Sequence, residues 1–230
     1  METKDLTKNT CGDYAVAVAK GVLGALPVLG STAAEIFGLV VTPPLEKRKI
    51  QWMNEIGERL AELEKTKGIN IAELANNELF IDVMMQASTL AIKTSQKEKV
   101  EAFRNAILNT AIDNTIDDIK SHIFLTQLDK FTVWHIKLLI LVENPADFFK
   151  KANKIFPTYM AASLSNIIKE AYPELKNEDS LLDIIWNDLK IAGFHNSGDL
   201  KTTMSGPGLA TKKTTELGDE FLNYIRFEQE

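Results

Sequence analysis

The chain has 230 residues, 45% of them hydrophobic and 25% charged, a balance that excludes disordered and fibrous classes and leaves room for one large core or two small ones. A net charge of -6 and a pI near 5.3 oppose phosphate backbones and anionic lipid over the molecule as a whole; a nucleic-acid or membrane role would need a local patch, and none is obvious in the sequence. With the single cysteine Cys11 there is no intrachain disulfide framework, and the start METKDLTKNTCGDY lacks a secretory pattern, so the expected location is the cytoplasm.

The first element is an apolar, glycine-punctuated stretch from Tyr14 to Leu45. AVAVAKGVLGAL reads as a helix of small residues that Pro27 interrupts, because proline has no amide donor. Gly30, Ser31 and Thr32 offer a turn and a cap, and AAEIFGLVV reads as a second helix ended by Pro43 and Pro44. Lys20, Glu35 and the prolines keep either half below the ~18 apolar residues of a spanning helix. Gly21, Gly24, Ala25, Gly30 and Ala33 permit close helix approach, which suits a hairpin buried in a bundle and also suits association in a membrane. The expectation is a core hairpin. If a trigger released it, Val22, Leu23, Leu26, Val28, Leu29, Ile36, Phe37, Leu39 and Val40 would contact a bilayer or a partner.

Amphipathic helices follow. Trp52, Met53, Ile56, Leu60 and Leu63 recur at helical spacing up to Gly68, and Leu79, Phe80, Val83, Met84, Ala87, Leu90 and Ala91 form a second stripe. Met85 joins Trp52, Met53, Phe80, Met84, Trp134 and Trp186 among the large residues expected in the core. Ser95 and Glu98 make a capping-box pattern ahead of Val100, Phe103, Ile107, Leu108 and Ala111. Ile116, Ile119 and Ile123 resume the pattern toward Leu128, as one bent helix or as two short ones.

Thr132 predicts the cap of WHIKLLILVENP, which Pro145 stops. The next helices are expected over 157–171, with Met160, Leu164, Ile167 and Ile168 inward, and from Glu178 to a glycine cap at Gly193, with Leu181, Leu182, Ile185, Trp186 and Leu189 inward. FHN and LATKKTT then read as two strands joined by the SGDLKTTMSGPG tip, and Thr215 opens a last helix with Glu216, Asp219 and Glu220 in its first turn. The predicted fold is mainly α: a helical bundle over 1–128 built round the hairpin, followed by a winged-helix-like module with a short β-hairpin over 129–230.

The passage from DLKIAGF through TKKTTELGDEFLNYI resembles the end of bacterial winged-helix domains, through Leu189, Gly193 and Phe194 and then Thr215, Leu217, Gly218, Phe221 and Leu222. The wider order of apolar hairpin, charged amphipathic helix and TELGDEFL terminus is similar to the abortive infection alpha family of bacterial anti-phage proteins. That resemblance implies a role in phage defence and identifies no functional residue.

No constellation carries catalysis. His122, His135 and His195 have no metal-ligand spacing, no G-x-S-x-G is present, and GALPVLGST lacks the spacing and the lysine of a phosphate loop. Asp113, Asp117 and Asp118 have no EF-hand spacing. In a winged helix the Glu178–Gly193 segment would read DNA, yet it carries Glu178, Asp179, Asp183 and Asp188 against Lys190, and residues 129–230 hold 15 acidic and 12 basic side chains. Lys201, Lys212 and Lys213 would be the wing contacts to DNA or partner. The expected function is therefore a non-catalytic, cofactor-free interaction protein of the bacterial cytoplasm. An unidentified protein is its expected partner, membrane contact is conditional, nucleic acid is disfavoured and homo-oligomers are allowed; a winged-helix DNA-binding regulator is the alternative.

Overall fold

The structure, a computed structural model, describes residue 38 and residues 41–112 and 117–226. All nine apolar positions named for hairpin contact, from Val22 to Val40, lie outside the described residues. The chain divides into two compact units, Met1–Glu55 and Ile56–Glu230. The described residues are mainly helical, with eleven α-helices, one 3-10 turn and a two-stranded antiparallel sheet.

Helix α1 (Thr42–Thr66) holds Pro43 and Pro44 in its first turn, where a missing N–H is no loss, so the prolines expected to end a helix instead begin one. Trp52, Ile56, Leu60 and Leu63 are buried on one face; Met53, a position off that stripe, is exposed, contrary to expectation. After the single turn α2 (Ile71–Leu74), the Asn77 side chain accepts the Phe80 N–H at 3.1 Å and caps α3 (Glu78–Lys93). α3 buries Phe80, Val83, Ala87 and Ala91 against α4 (Lys97–Ile112), which offers Ala102, Phe103, Ala106 and Ile107; small residues on both helices let the backbones approach. Met85 faces away from this contact and is exposed.

Two helices form where one bent or two short ones were allowed: α4 ends at Ile112, and Asp117 caps α5 (Asp118–Lys130) by accepting the Lys120 N–H at 2.8 Å. Phe124, Leu125 and Leu128 fix the buried face of α5, which leaves Ile119 and Ile123 exposed against expectation. Helix α6 (Val133–Glu143) buries Ile136, Leu138, Leu139, Leu141 and Val142, and it packs on α9 (Asp179–Ile191) and α11 (Glu216–Ile225). Pro145 both stops α6 and starts α7 (Pro145–Lys151).

The segment 157–171 is not one helix. Residues Ala161–Ser163 form β1, and Ser163 ends the strand by capping α8 (Leu164–Ala171), its N–H reaching Asn166 Oδ1 at 3.2 Å. Met160 consequently points to solvent and not into a helix face. A 3-10 turn (Pro173–Leu175) leads to α9, which Gly193 closes at φ +78 as expected. β1 pairs with β2 (Thr203–Ser205) in the register Ala161↔Ser205, Ala162↔Met204 and Ser163↔Thr203.

The strands expected at FHN and LATKKTT are reduced to one antiparallel bridge, His195↔Thr214. The Ser205 hydroxyl caps Gly208 N–H and Pro207 sits in the first turn, so Gly206–Ala210 becomes a short helix, α10, in place of strand. Residues on both sides of Asp129 belong to one compact unit, in which α11 packs on α4 and α6.

Candidate functional site

The residues that carry the C-terminal resemblance meet in one joint. Thr215 donates its hydroxyl to Gly193 O at 2.6 Å and its N–H to Phe194 O at 3.0 Å, and its Oγ1 accepts the Gly218 N–H at 3.0 Å. Gly218 lies so close to Phe194 that a Cβ there would sit 2.3 Å from the carbonyl oxygen. Phe194 and Phe221 stack at 4.5 Å, and Phe124, Phe131 and Tyr224 extend the aromatic cluster. The motif thus marks a joint of the fold, held by the Thr215 hydrogen bonds and by aromatic packing.

Two histidines are buried beside α9. Thr132 N–H donates to His135 Nδ1 at 3.1 Å, which makes Nδ1 the acceptor; Nε2 then carries the proton and faces Asp188 Oδ2 at 3.3 Å. Phe131 stacks on this ring at 4.7 Å. His195 donates from Nε2 to Trp186 O at 2.8 Å and stacks on the Trp186 ring, while its Nδ1 is buried without a hydrogen-bond partner. Burial holds both imidazoles below their ordinary value of 6.5, in spite of Asp188 and the Trp186 carbonyl, so both are neutral near pH 7. The Thr132 hydroxyl also lies 2.9 Å from His135 Nδ1, as part of the helix cap. His122 lines an open groove of about 550 Å³ between α3 and α5, together with Asp82, Met85, Asp118, Ile119 and Ile123. Among the described residues no group of three His, Cys, Asp or Glu could hold a metal ion.

The three lysines named as wing contacts are all engaged within the fold. Lys201 pairs with Asp183 of α9 at 2.7 Å, and Lys212 pairs with Asp219 of α11. Lys213 is buried, donates to Gly208 O at 2.8 Å and to Thr211, and its ammonium pKa is lowered by desolvation.

Helix α9 has two apolar faces. Leu182, Ile185, Trp186 and Leu189 are buried, as the spacing predicts. A second stripe was missed: Leu181, expected inward, is at the surface with Ile184 and Ile191, and the last two are 58% and 76% exposed. Their spacing of three and seven residues puts them on one side of the helix. Of the carboxylates bordering them, Asp179 pairs with Lys169 and Asp183 with Lys201, while Asp188 faces the neutral imidazole of His135. The solvent face of α9 thus presents Leu181, Ile184 and Ile191, with Asp179 and Asp183 paired to the protein's own lysines. The signal was present in the sequence as a surplus of apolar residues over what one buried face needs.

Comparison with protein-family models, with curated proteins and with solved structures found no match for this chain.

Proposed function

We propose that the protein is a non-catalytic docking protein whose contact surface is the outer face of α9. The observation that carries this reading is the exposed Leu181, Ile184 and Ile191 stripe on a helix whose Asp179 and Asp183 are already paired. The order α6, β1, α8, α9, β2 supports a winged-helix-like core in which α9 holds the place of the DNA-reading helix. DNA affinity rests on cations free to replace counterions, and α9 offers Lys190 alone. Aliphatic side chains at helical spacing fit a protein groove better than a base edge.

The phage-defence role draws its support from the resemblance of the Leu217–Leu222 passage and of the N-terminal layout. Membrane contact by residues 14–45 is part of the same proposal. A gel shift with random duplex at low salt tests the docking reading against the DNA-binding alternative. Free duplex at all protein concentrations is expected. A shift that weakens with added salt and is lost on Lys190→Glu would replace docking with DNA binding.

A further inference from the structure

Residues 148–169 contain Lys150, Lys151, Lys154 and Lys169 and no aspartate or glutamate, in a chain of net charge -6; Asp147 and Glu170 adjoin the segment, and Glu170 accepts the Tyr159 hydroxyl at 3.5 Å. Helix α7 ends with Asn153 at φ +53 and with Lys154 N–H bonded to Phe149 O at 2.8 Å, a left-handed cap that turns the chain away from the helix axis. Phe156 packs edge-on against buried Phe149 with ring centroids 5.4 Å apart, which fixes the inward side of the loop. At the far end Met160 O accepts the Gly206 N–H at 3.2 Å, and a Cβ on Gly206 would lie 2.3 Å from Tyr159 O. The segment is therefore anchored at both ends. Between those anchors Ile155 and Met160 are 91% and 97% exposed.

Two large aliphatic side chains held almost wholly in water on an anchored loop call for an apolar partner. Their near-complete exposure makes them projections. A folded protein would need a matching pocket for each, whereas a fluid acyl phase needs none. Charge complementarity names the phase. Lys150 is exposed, and Lys151 has only the one-turn pair with Asp147 at 2.9 Å, with its side chain 79% exposed. Lys154 reaches Ala171 O at 2.8 Å, and Lys169 is held by Asp179. Bases would call for aromatic platforms, and the projecting residues are aliphatic.

We propose that the loop 152–160 is a peripheral membrane contact, in which Ile155 and Met160 enter the headgroup–acyl boundary of an anionic bilayer and Lys150 and Lys151 meet the lipid phosphates. The proposal requires neither of the roles assigned to α9 and to residues 14–45. Each aliphatic side chain buried in lipid strengthens binding about tenfold or more, and each lysine about fivefold.

The test is flotation of the full chain with phosphatidylcholine vesicles, with and without phosphatidylglycerol. Wild type is expected to float with the anionic vesicles only, and less at high salt. Ile155→Ser with Met160→Ser should lower vesicle affinity at least tenfold, and Lys150→Glu with Lys151→Glu by a comparable factor, with unchanged melting curves. An environment-sensitive fluorophore on Met160→Cys, in a Cys11→Ser background, should shift to the blue on adding anionic vesicles. Wild type that never floats overturns the proposal. So does flotation that both double variants retain, which would move the contact to another part of the chain, or lysine-dependent binding to duplex DNA that is indifferent to Ile155→Ser with Met160→Ser.

Discussion

At the scale of single residues, the two buried imidazoles tie stability to pH. Both His135 and His195 have folded pKa values depressed below 6.5 by burial, so the unfolded chain binds protons that the folded chain refuses. Their stabilising effect is complete above about pH 7 and is lost as pH falls through 6.5 toward the folded values. The melting temperature is expected to drop between about pH 8 and about pH 5.5, and His135→Gln with His195→Gln should flatten that part of the profile. A steric constraint is equally specific at Gly218, where the helix start rests on the Phe194 carbonyl. Gly218→Ala forces the α11 start off that carbonyl and should cost about 2–4 kcal/mol in urea unfolding. Here the sequence was informative without naming a reason: the T-x-L-G spacing was visible as a resemblance, and the structure shows that the glycine is there to let two backbones touch.

Elements show most clearly where periodicity succeeds and where it stops. Helix α3 buries Phe80, Val83, Ala87 and Ala91 and α9 buries Leu182, Ile185, Trp186 and Leu189 as their spacing predicts, and the caps at Asn77 and Gly193 set the start of the one and the end of the other. Periodicity misplaced Ile119, Ile123 and Met160. For α5 the heavier face of Phe124, Leu125 and Leu128 won the core. At Met160 the nonlocal pairing of β1 with β2, across forty residues, overrode a helical pattern that is plausible locally. The same misreading hid the acid-free loop, since a residue assigned to a helix interior is not considered as a surface projection. The α4 asparagines illustrate another signal without periodicity: Asn105 donates to Ile225 O at 3.0 Å and Asn109 to Tyr224 O at 2.8 Å, supplying donors to the carbonyl end of α11. Asn109→Ala is expected to lower stability by about 1–2 kcal/mol, measured by chemical denaturation, while Ile184→Arg on the outer face of α9 should change it by less than about 0.5 kcal/mol.

For the whole molecule, the sequence conveyed the class of fold and the sign of the charge, and it left the contact surfaces open. Mainly helical architecture follows from the stripes and caps, and the structure agrees. Of the lysines chosen from the sequence as candidate contacts, Lys213 is buried, and Lys201 and Lys212 are paired at the surface with carboxylates that only the fold brings to them, Asp183 and Asp219. No helix among the described residues is long and apolar enough to cross a membrane, so the lipid contact inferred for the loop 152–160 is peripheral. The central proposal is that α9 meets protein. Photo-crosslinking in the cells that encode the chain tests this directly, with a benzophenone side chain placed at Ile184. The account predicts a discrete protein adduct that disappears when Leu181 and Ile191 are replaced by arginine in a normally folded chain. Adducts with nucleic acid, or a protein adduct indifferent to those replacements, would contradict it.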